Sequence, residues 1–225
     1  MCGRVIVDYD ENMDVAKGSE LADWLTARPT GYEPSWNLPP TRDIPIALTS
    51  SKDDEKRFEL AHWGIIPPWS KDGKPRFTFN ARVEGLLEKN TFAPSVKAQR
   101  CVVPVTGFYE WTGPKGKRTP HAIFGPRPLL PMAGLYRWWK SSAGEWVLTA
   151  TILTRASAGV MEPLHDRMPV FMADELVQDW LDPETEGDQL LVDAVSEASV
   201  PISEQLREWP VRPLRGDGPE LIEPA

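Results

Sequence analysis

The sequence predicts an α+β fold: one domain over residues 1–225, dominated by antiparallel strands, with helices at its edges. Three observations carry this. Seven short runs alternate apolar and polar residues or are rich in β-branched ones. The 23 prolines are scattered, with pairs at Pro39-Pro40 and Pro67-Pro68, a spacing that punctuates strands and turns and is hard to fit with long helices. Helical spacing is confined to four segments at the margins of the strand runs.

In chain order, strands are predicted at Arg4–Val7, Ile44–Leu48, Arg57–Trp63, Cys101–Trp111, His121–Phe124, Leu130–Trp138 and Trp146–Leu153. Helices are predicted at Met13–Ala27, Ala81–Lys89, Ala173–Leu181 and Asp188–Ala198. Asp174 and Glu175 in the first turn of the third suit the positive end of its dipole. Asn80 reads as a cap for the second helix, or as a donor to a substrate oxygen. Gly113-Pro114-Lys115-Gly116-Lys117 reads as a hairpin tip, and the acidic stretch 182–188 as a loop. No internal repeat, low-complexity tract or interdomain linker interrupts the chain.

Composition excludes several classes. With 41% hydrophobic and 26% charged residues the 225-residue chain is ordinary for a globular protein. No apolar run approaches the ~20 residues that span a bilayer, and the N-terminus lacks the apolar core of a secretory signal. Two cysteines argue against a disulfide scaffold and for a reducing, cytoplasmic location. The cysteines show no CxxC spacing and the three histidines are dispersed, so no metal site is expected, and neither a Walker loop nor a dinucleotide fingerprint implies a cofactor.

The net charge of −8 disfavours a nucleic-acid partner until its distribution is read. Residues 61–120 carry 10 basic and 4 acidic groups, whereas residues 171–225 carry 3 and 14. A basic middle between acidic ends allows an anionic ligand, although on charge alone a solvated face is the simpler reading. Trp63 and Trp69 flank the second proline pair beside Lys71, Lys74, Arg76 and Arg82. Aromatics among basic groups suit single-stranded nucleic acid, and core packing explains most of the ten tryptophans equally well.

Position 2 is the most suggestive for chemistry. Methionine aminopeptidases remove Met1 before a small side chain, which leaves Cys2 with a free α-amine and a thiol on adjacent carbons. That amine, with a reference pKa of ~7.7–8.0, is partly neutral near pH 7 and can attack an aldehyde, after which the thiolate closes a thiazolidine. An N-terminal cysteine also serves as an acyl nucleophile. The plain alternative is an idle cysteine at the start of a strand. Cys101 reads as a packed core thiol. Glu110, among aromatics in Gly107-Phe108-Tyr109-Glu110-Trp111, is either buried and suited to proton transfer or turned outward. His165, beside Asp166 and Arg167, is a proton carrier or a turn histidine.

These signals coincide in one pattern. Met1-Cys2-Gly3-Arg4, Trp36-Asn37-Leu38-Pro39-Pro40, the segments Trp63–Trp69 and Asn80–Glu84, Arg100-Cys101-Val102-Val103-Pro104, Gly107–Trp111, Ile152–Arg155 and His165–Pro169 run in the order seen in the SOS-response-associated peptidase family. The chain resembles that family, whose members are also described as abasic-site-processing proteins, over nearly its whole length. The resemblance implies barrel-like, antiparallel and mixed sheets with peripheral helices. It implies a partner, single-stranded DNA containing an abasic site, often near a junction with duplex, bound by a monomer without metal or cofactor and nucleoid-associated during DNA damage. Cys2 corresponds to the nucleophile, Glu110 to the proton-transfer group, His165 to the partner acid/base with a part in reversal, and Asn80 to the group orienting the sugar or the amine. Arg4, Arg82 and Arg167 correspond to phosphate contacts; Asn37, Pro40, Trp69 and Thr154 to residues of the DNA channel. Two departures stand out. Ser70 replaces a second aromatic, and the tail after Trp209 lacks a common asparagine.

Two other functions use the same residues. A thiol peptidase would employ Cys2, Glu110 and His165 in acyl chemistry, but one residue before Cys2 leaves little to cleave by self-processing; a lyase-like side activity belongs with the same aldehyde chemistry. A non-covalent single-strand-binding module would make Cys2 incidental.

Overall fold

The computed structural model describes residues 3–71 and 78–225. Strand β1 (Val5–Val7) is followed by a run of tight turns and then β2 (Ser35–Leu38), β3 (Asp43–Thr49), β4 (Lys56–Trp63) and β5 (Asn80–Arg82). Helix α1 (Ala93–Ala98) leads into β6 (Arg100–Val105), β7 (Gly107–Thr112), β8 (Thr119–Phe124), β9 (Leu130–Lys140), β10 (Trp146–Ala156) and β11 (Arg167–Pro169). Helices α2 (Val177–Leu181) and α3 (Gln189–Ser203) and strand β12 (Arg207–Pro210) complete the order. The expected fold class, barrel-like sheets with few helices, is what the chain adopts.

Strands β3, β4, β10, β9 and β6 close on one another, because β3 pairs with β6 and β9 with both β6 and β10. The pairing of β4 with β10 is parallel; the other four are antiparallel. Closure leaves the barrel strands without exposed edges. Ile44, Ile46, Trp63, Cys101 and Ile152 are fully buried in the main core. Trp63 donates its Nε1 proton to the Phe79 carbonyl at 2.8 Å, so this tryptophan is core rather than a stacking platform. Cys101 is a buried free thiol whose ionisation burial pushes up strongly, as its assignment to the core requires.

The second sheet runs β12-β8-β7-β1-β2, all antiparallel. Alternation gives it two apolar faces. Val5, Val7, Phe108 and Ile123 join the barrel core, while Ile6, Tyr109 and Ala122 form a second cluster with Val211 of the C-terminal segment. The run expected as one strand over Cys101–Trp111 is therefore two. Thr106 separates β6, in the barrel, from β7, in the second sheet.

Two expected helices do not form. Over residues 13–27 the apolar positions Met13, Ala16, Leu21, Trp24 and Leu25 are buried, yet they hang on successive turns with one 3-10 turn at Asp14–Ala16. Gly18 at φ +74 takes a left-handed conformation that a helix cannot pass through. Over 81–89 the chain forms β5 and then turns, with Gly85 at φ +63. Asn80 thus begins a strand paired with Ile152 and caps no helix. Asp188 does cap α3, its carboxylate accepting the Leu191 amide at 2.9 Å. The expected hairpin tip at 113–117 joins β7 to β8.

Candidate functional site

The C-terminal half of β10 gathers one group of the expected residues. Parallel β5 lies on one edge, with Asn80 opposite Ile152 and Arg82 opposite Thr154. Antiparallel β11 lies on the other, with Pro169 opposite Thr154 and Arg167 opposite Ala156. Thr154 is fully buried. Arg167 reaches across β10 and forks onto Glu84, Nη1–Oε1 2.6 Å and Nη2–Oε2 2.8 Å, while Nη2 also donates to the Thr154 carbonyl at 2.7 Å. The guanidinium holds the Glu84 carboxyl below its ordinary range. Arg82 is exposed and pairs with no carboxylate among the described residues. The expected phosphate contacts thus differ in what they have free: Arg82 offers an open guanidinium, and Arg167 one largely committed to Glu84.

His165 sits just before β11. Its amide donates to the Met161 carbonyl at 3.1 Å and its own carbonyl accepts from Ser157 Oγ. Nδ1 lies 3.0 Å from the Arg167 amide and 2.7 Å from Asp166 Oδ1. One nitrogen cannot accept the amide proton and donate to a carboxylate at once. As acceptor Nδ1 serves the Arg167 N–H and as donor it serves Asp166, according to the tautomer.

A second group lies on the five-stranded sheet. Glu110 is 4% exposed, so it is not the outward-facing strand glutamate that its sequence equally allowed. It shares a face of β7 with Phe108, whose ring packs 6.0 Å from Phe171, two residues past β11. His121 stands directly across from Glu110 on β8. Its Nδ1 is 2.7 Å from Glu208 and its Nε2 is 2.9 Å from Thr112 Oγ1. Sequence reasoning missed this imidazole beside the carboxylate; the sequence signal was the hairpin register, which places residues 110 and 121 opposite each other. Arg4 is half-buried, and its carbonyl accepts the Tyr109 amide at 3.0 Å. Asn37 is on edge strand β2, and Pro40 is in the turn that follows. Trp69 is 58% exposed in the loop after Pro67-Pro68, and the neighbouring Ser70 carbonyl accepts from Trp139 Nε1 at 3.2 Å. Cys2, Lys74 and Arg76 lie outside the described residues. Among the described residues no group of three histidines, cysteines or acids could hold a metal ion, and no helix is long and apolar enough to cross a membrane.

A mixed five-stranded barrel flanked by an antiparallel sheet defines the architecture, with Asn80, Arg82, Thr154 and Arg167 brought together around β10 and Glu110 buried on the second sheet, and comparison with known proteins defines its class. The model of the SOS response associated peptidase (SRAP) family matches residues 1–214, and the chain belongs to that family. Abasic site processing protein YoqW of Bacillus subtilis is 36% identical over 195 residues, 84% of each chain. Abasic site processing protein HMCES of Gallus gallus is 31% identical over 238 residues, covering 90% of this chain and 69% of that one. Among solved structures, a Bacteroides thetaiotaomicron protein superposes with a TM-score of 0.80 over the full length of both chains at 21% identity. A phage-related protein of Bordetella bronchiseptica gives 0.72 at 25% identity, over 94% and 95% of the two chains.

Proposed function

We propose that this protein recognises abasic sites in single-stranded DNA, near junctions with duplex, and captures them covalently through Cys2 once Met1 is removed. The observation that carries the reading is the family match from residue 1, which includes the Met-Cys start, in a family whose relatives are named for abasic site processing.

In the proposed reaction the neutral Cys2 amine adds to the C1′ aldehyde of the ring-opened sugar. Loss of one water leaves an imine; the thiol adds across it, sulfur to carbon and proton to nitrogen, closing a thiazolidine. The chemistry needs proton carriers and no metal ligand. Glu110 supports the proton-transfer role by its burial on β7, next to Tyr109, whose amide donates to the Arg4 carbonyl. Asn80 orients the sugar or amine, and His165 acts as the partner acid/base in formation and reversal. Arg4, Arg82 and Arg167 contact phosphates, Arg167 chiefly by bracing Glu84 beside exposed Arg82. Asn37, Pro40, Trp69 and Thr154 line the strand's path. The product shields the lesion from cleavage, as a monomer acting in the cytoplasm on damaged DNA.

Incubation with an abasic oligonucleotide followed by a denaturing gel tests this. A retarded band should form with the wild type and vanish with Cys2→Ala or with a tag ahead of Cys2. Undiminished protection of the lesion by Cys2→Ala would favour a non-covalent binder instead.

A further inference from the structure

The C-terminal segment beyond residue 214 lies past the family match, yet it is bonded to the strand that carries Asn37. The Asp217 carboxylate accepts the Trp36 amide at 2.6 Å and the Ser35 hydroxyl at 2.7 Å. Ser35 Oγ in turn accepts the Asn37 amide at 3.2 Å. Trp36 is on β2, the outermost strand of its sheet, so Asp217 occupies an N–H that an edge strand would otherwise leave open. The segment is pinned at its far end by independent contacts: Trp209 Nε1 to the Ile222 carbonyl at 2.8 Å, the Val211–Pro224 bridge, and the Ala225 amide to the Pro210 carbonyl at 3.0 Å. It forms a strap over the outer face of the sheet.

The strap also decides how Asn37 faces. Asn37 Nδ2 lies 2.9 Å from the Gly216 carbonyl. A carbonyl only accepts, so it must meet the amide's NH₂ side, and the carboxamide oxygen points the other way. That oxygen is buried and has no donor among the described residues. A buried acceptor left unmatched is costly unless a ligand supplies the proton.

We propose that the Gly216–Asp217 strap fixes Asn37 as a hydrogen-bond acceptor, and that its partner is an N–H or O–H donor of the bound DNA rather than a phosphate. This rests on the DNA-binding reading above. Phosphodiesters in DNA carry no donor. The donors available are base-edge N–H groups and the hydroxyls of the opened or cyclic abasic sugar. Asp217 is in this account a positioning residue: it holds Ser35 and Trp36, and Gly216 beside it holds the amide.

The test measures binding of single strands carrying a natural abasic site or its tetrahydrofuran analogue, which lacks the anomeric hydroxyl. The proteins all carry Cys2→Ala, so that no crosslink forms and binding is at equilibrium: the full chain, serving as the wild type here, and its Asn37→Ala, Asp217→Ala and doubly substituted forms. Each single change should weaken binding of the natural lesion about tenfold, the size expected for one buried hydrogen bond. The double change should be no worse than Asn37→Ala, because both remove one interaction. The slope of log K against log salt should match the wild type in all three, since no phosphate contact is lost. If the donor is the sugar hydroxyl, the penalty disappears on the tetrahydrofuran strand; if it is a base edge, the penalty persists there and varies with the flanking base. Asp217→Asn keeps one acceptor for Trp36 and should recover part of the affinity, a recovery that general unfolding would not produce. Additive penalties, or a salt slope reduced by about one, would overturn the proposal. Variants that bind as tightly as a binding-competent wild type sink this inference alone. A wild type that retains no abasic strand removes the reading beneath it as well.

Discussion

Replacing Arg100 by methionine isolates the interaction that locks the barrel to its helices. Arg100 is 3% exposed and forms no salt bridge with a carboxylate among the described residues. Its guanidinium donates to five backbone carbonyls: Nε to Trp180 at 2.7 Å, Nη1 to Val96 and Lys97 at 2.8 Å each, and Nη2 to Asp182 at 2.5 Å and Thr185 at 2.8 Å. One side chain thus ties β6 to the ends of α1 and α2 and to the loop after α2. Methionine fills the channel with similar bulk and offers no donor. The Trp180 and Val96 bonds are buried, and each orphaned carbonyl costs about 1–3 kcal/mol; the half-exposed carbonyls can turn to water. Removing the cost of burying a cation, seen in the lowered Arg100 pKa, offsets part of this. The net expectation is about 3 kcal/mol, which for a chain of this size lowers Tm by about 6–12 °C. Calorimetry with urea unfolding measures it, and Arg100→Lys should fall between the two because an ammonium cannot span five acceptors. Crosslinking to an abasic strand well below the melting range should be unchanged. A stability loss under 1 kcal/mol would refute the claim that this fan of bonds organises the fold; lost DNA binding at unchanged Tm would move Arg100 into the interface.

Further outcomes follow from the same structure. Gly134→Ala should destabilise by more than about 2 kcal/mol in urea unfolding, because the added Cβ would sit 2.8 Å from the Thr151 carbonyl and 3.0 Å from Cys101 Sγ on opposite strands. Glu84→Gln should cost no more than about 1 kcal/mol at pH 7, since Glu84 is half exposed. The Glu84 carboxyl is lowered in the folded state, so its contribution is full above the ordinary carboxylate pKa and is lost as pH falls through the folded value; the wild type and Glu84→Gln should converge in stability once pH lies below that folded value. Glu110→Gln should slow crosslink formation at unchanged Tm, and a change confined to Tm would give this carboxylate a structural role. His165→Ala should alter crosslink reversal more than DNA affinity, measured by chase with excess unlabelled strand, and equal effects would contradict the division of roles.

The strands of the barrel were legible because both partners of each pair carry dense apolar or β-branched runs, as at Ile44–Leu48 and Trp146–Leu153. Strands β2, β11 and β12 were not. Ser35–Leu38, Arg167–Pro169 and Arg207–Pro210 are short and mixed, and each is a strand only because a partner offers an edge. Residues 13–27 have apolar positions spaced like a helix, but Gly18 and successive turns bury them by another route. Within the site, the aromatic setting of Glu110 allowed two orientations, and packing of Phe108 on Phe171 chose the buried one. The attachment of Arg167 to Glu84, 83 residues away, and of Asn37 to Gly216, 179 away, leave no local trace in the sequence.

Mass spectrometry of the intact chain, purified from its own cell and then mixed with an abasic oligonucleotide, puts the covalent chemistry to the most direct test. The account predicts a chain lighter by Met1 that shifts, without any reductant, to the sum of protein and oligonucleotide less one water. A chain that retains Met1, or one that lacks it and stays at its own mass in the presence of the lesion, would contradict it.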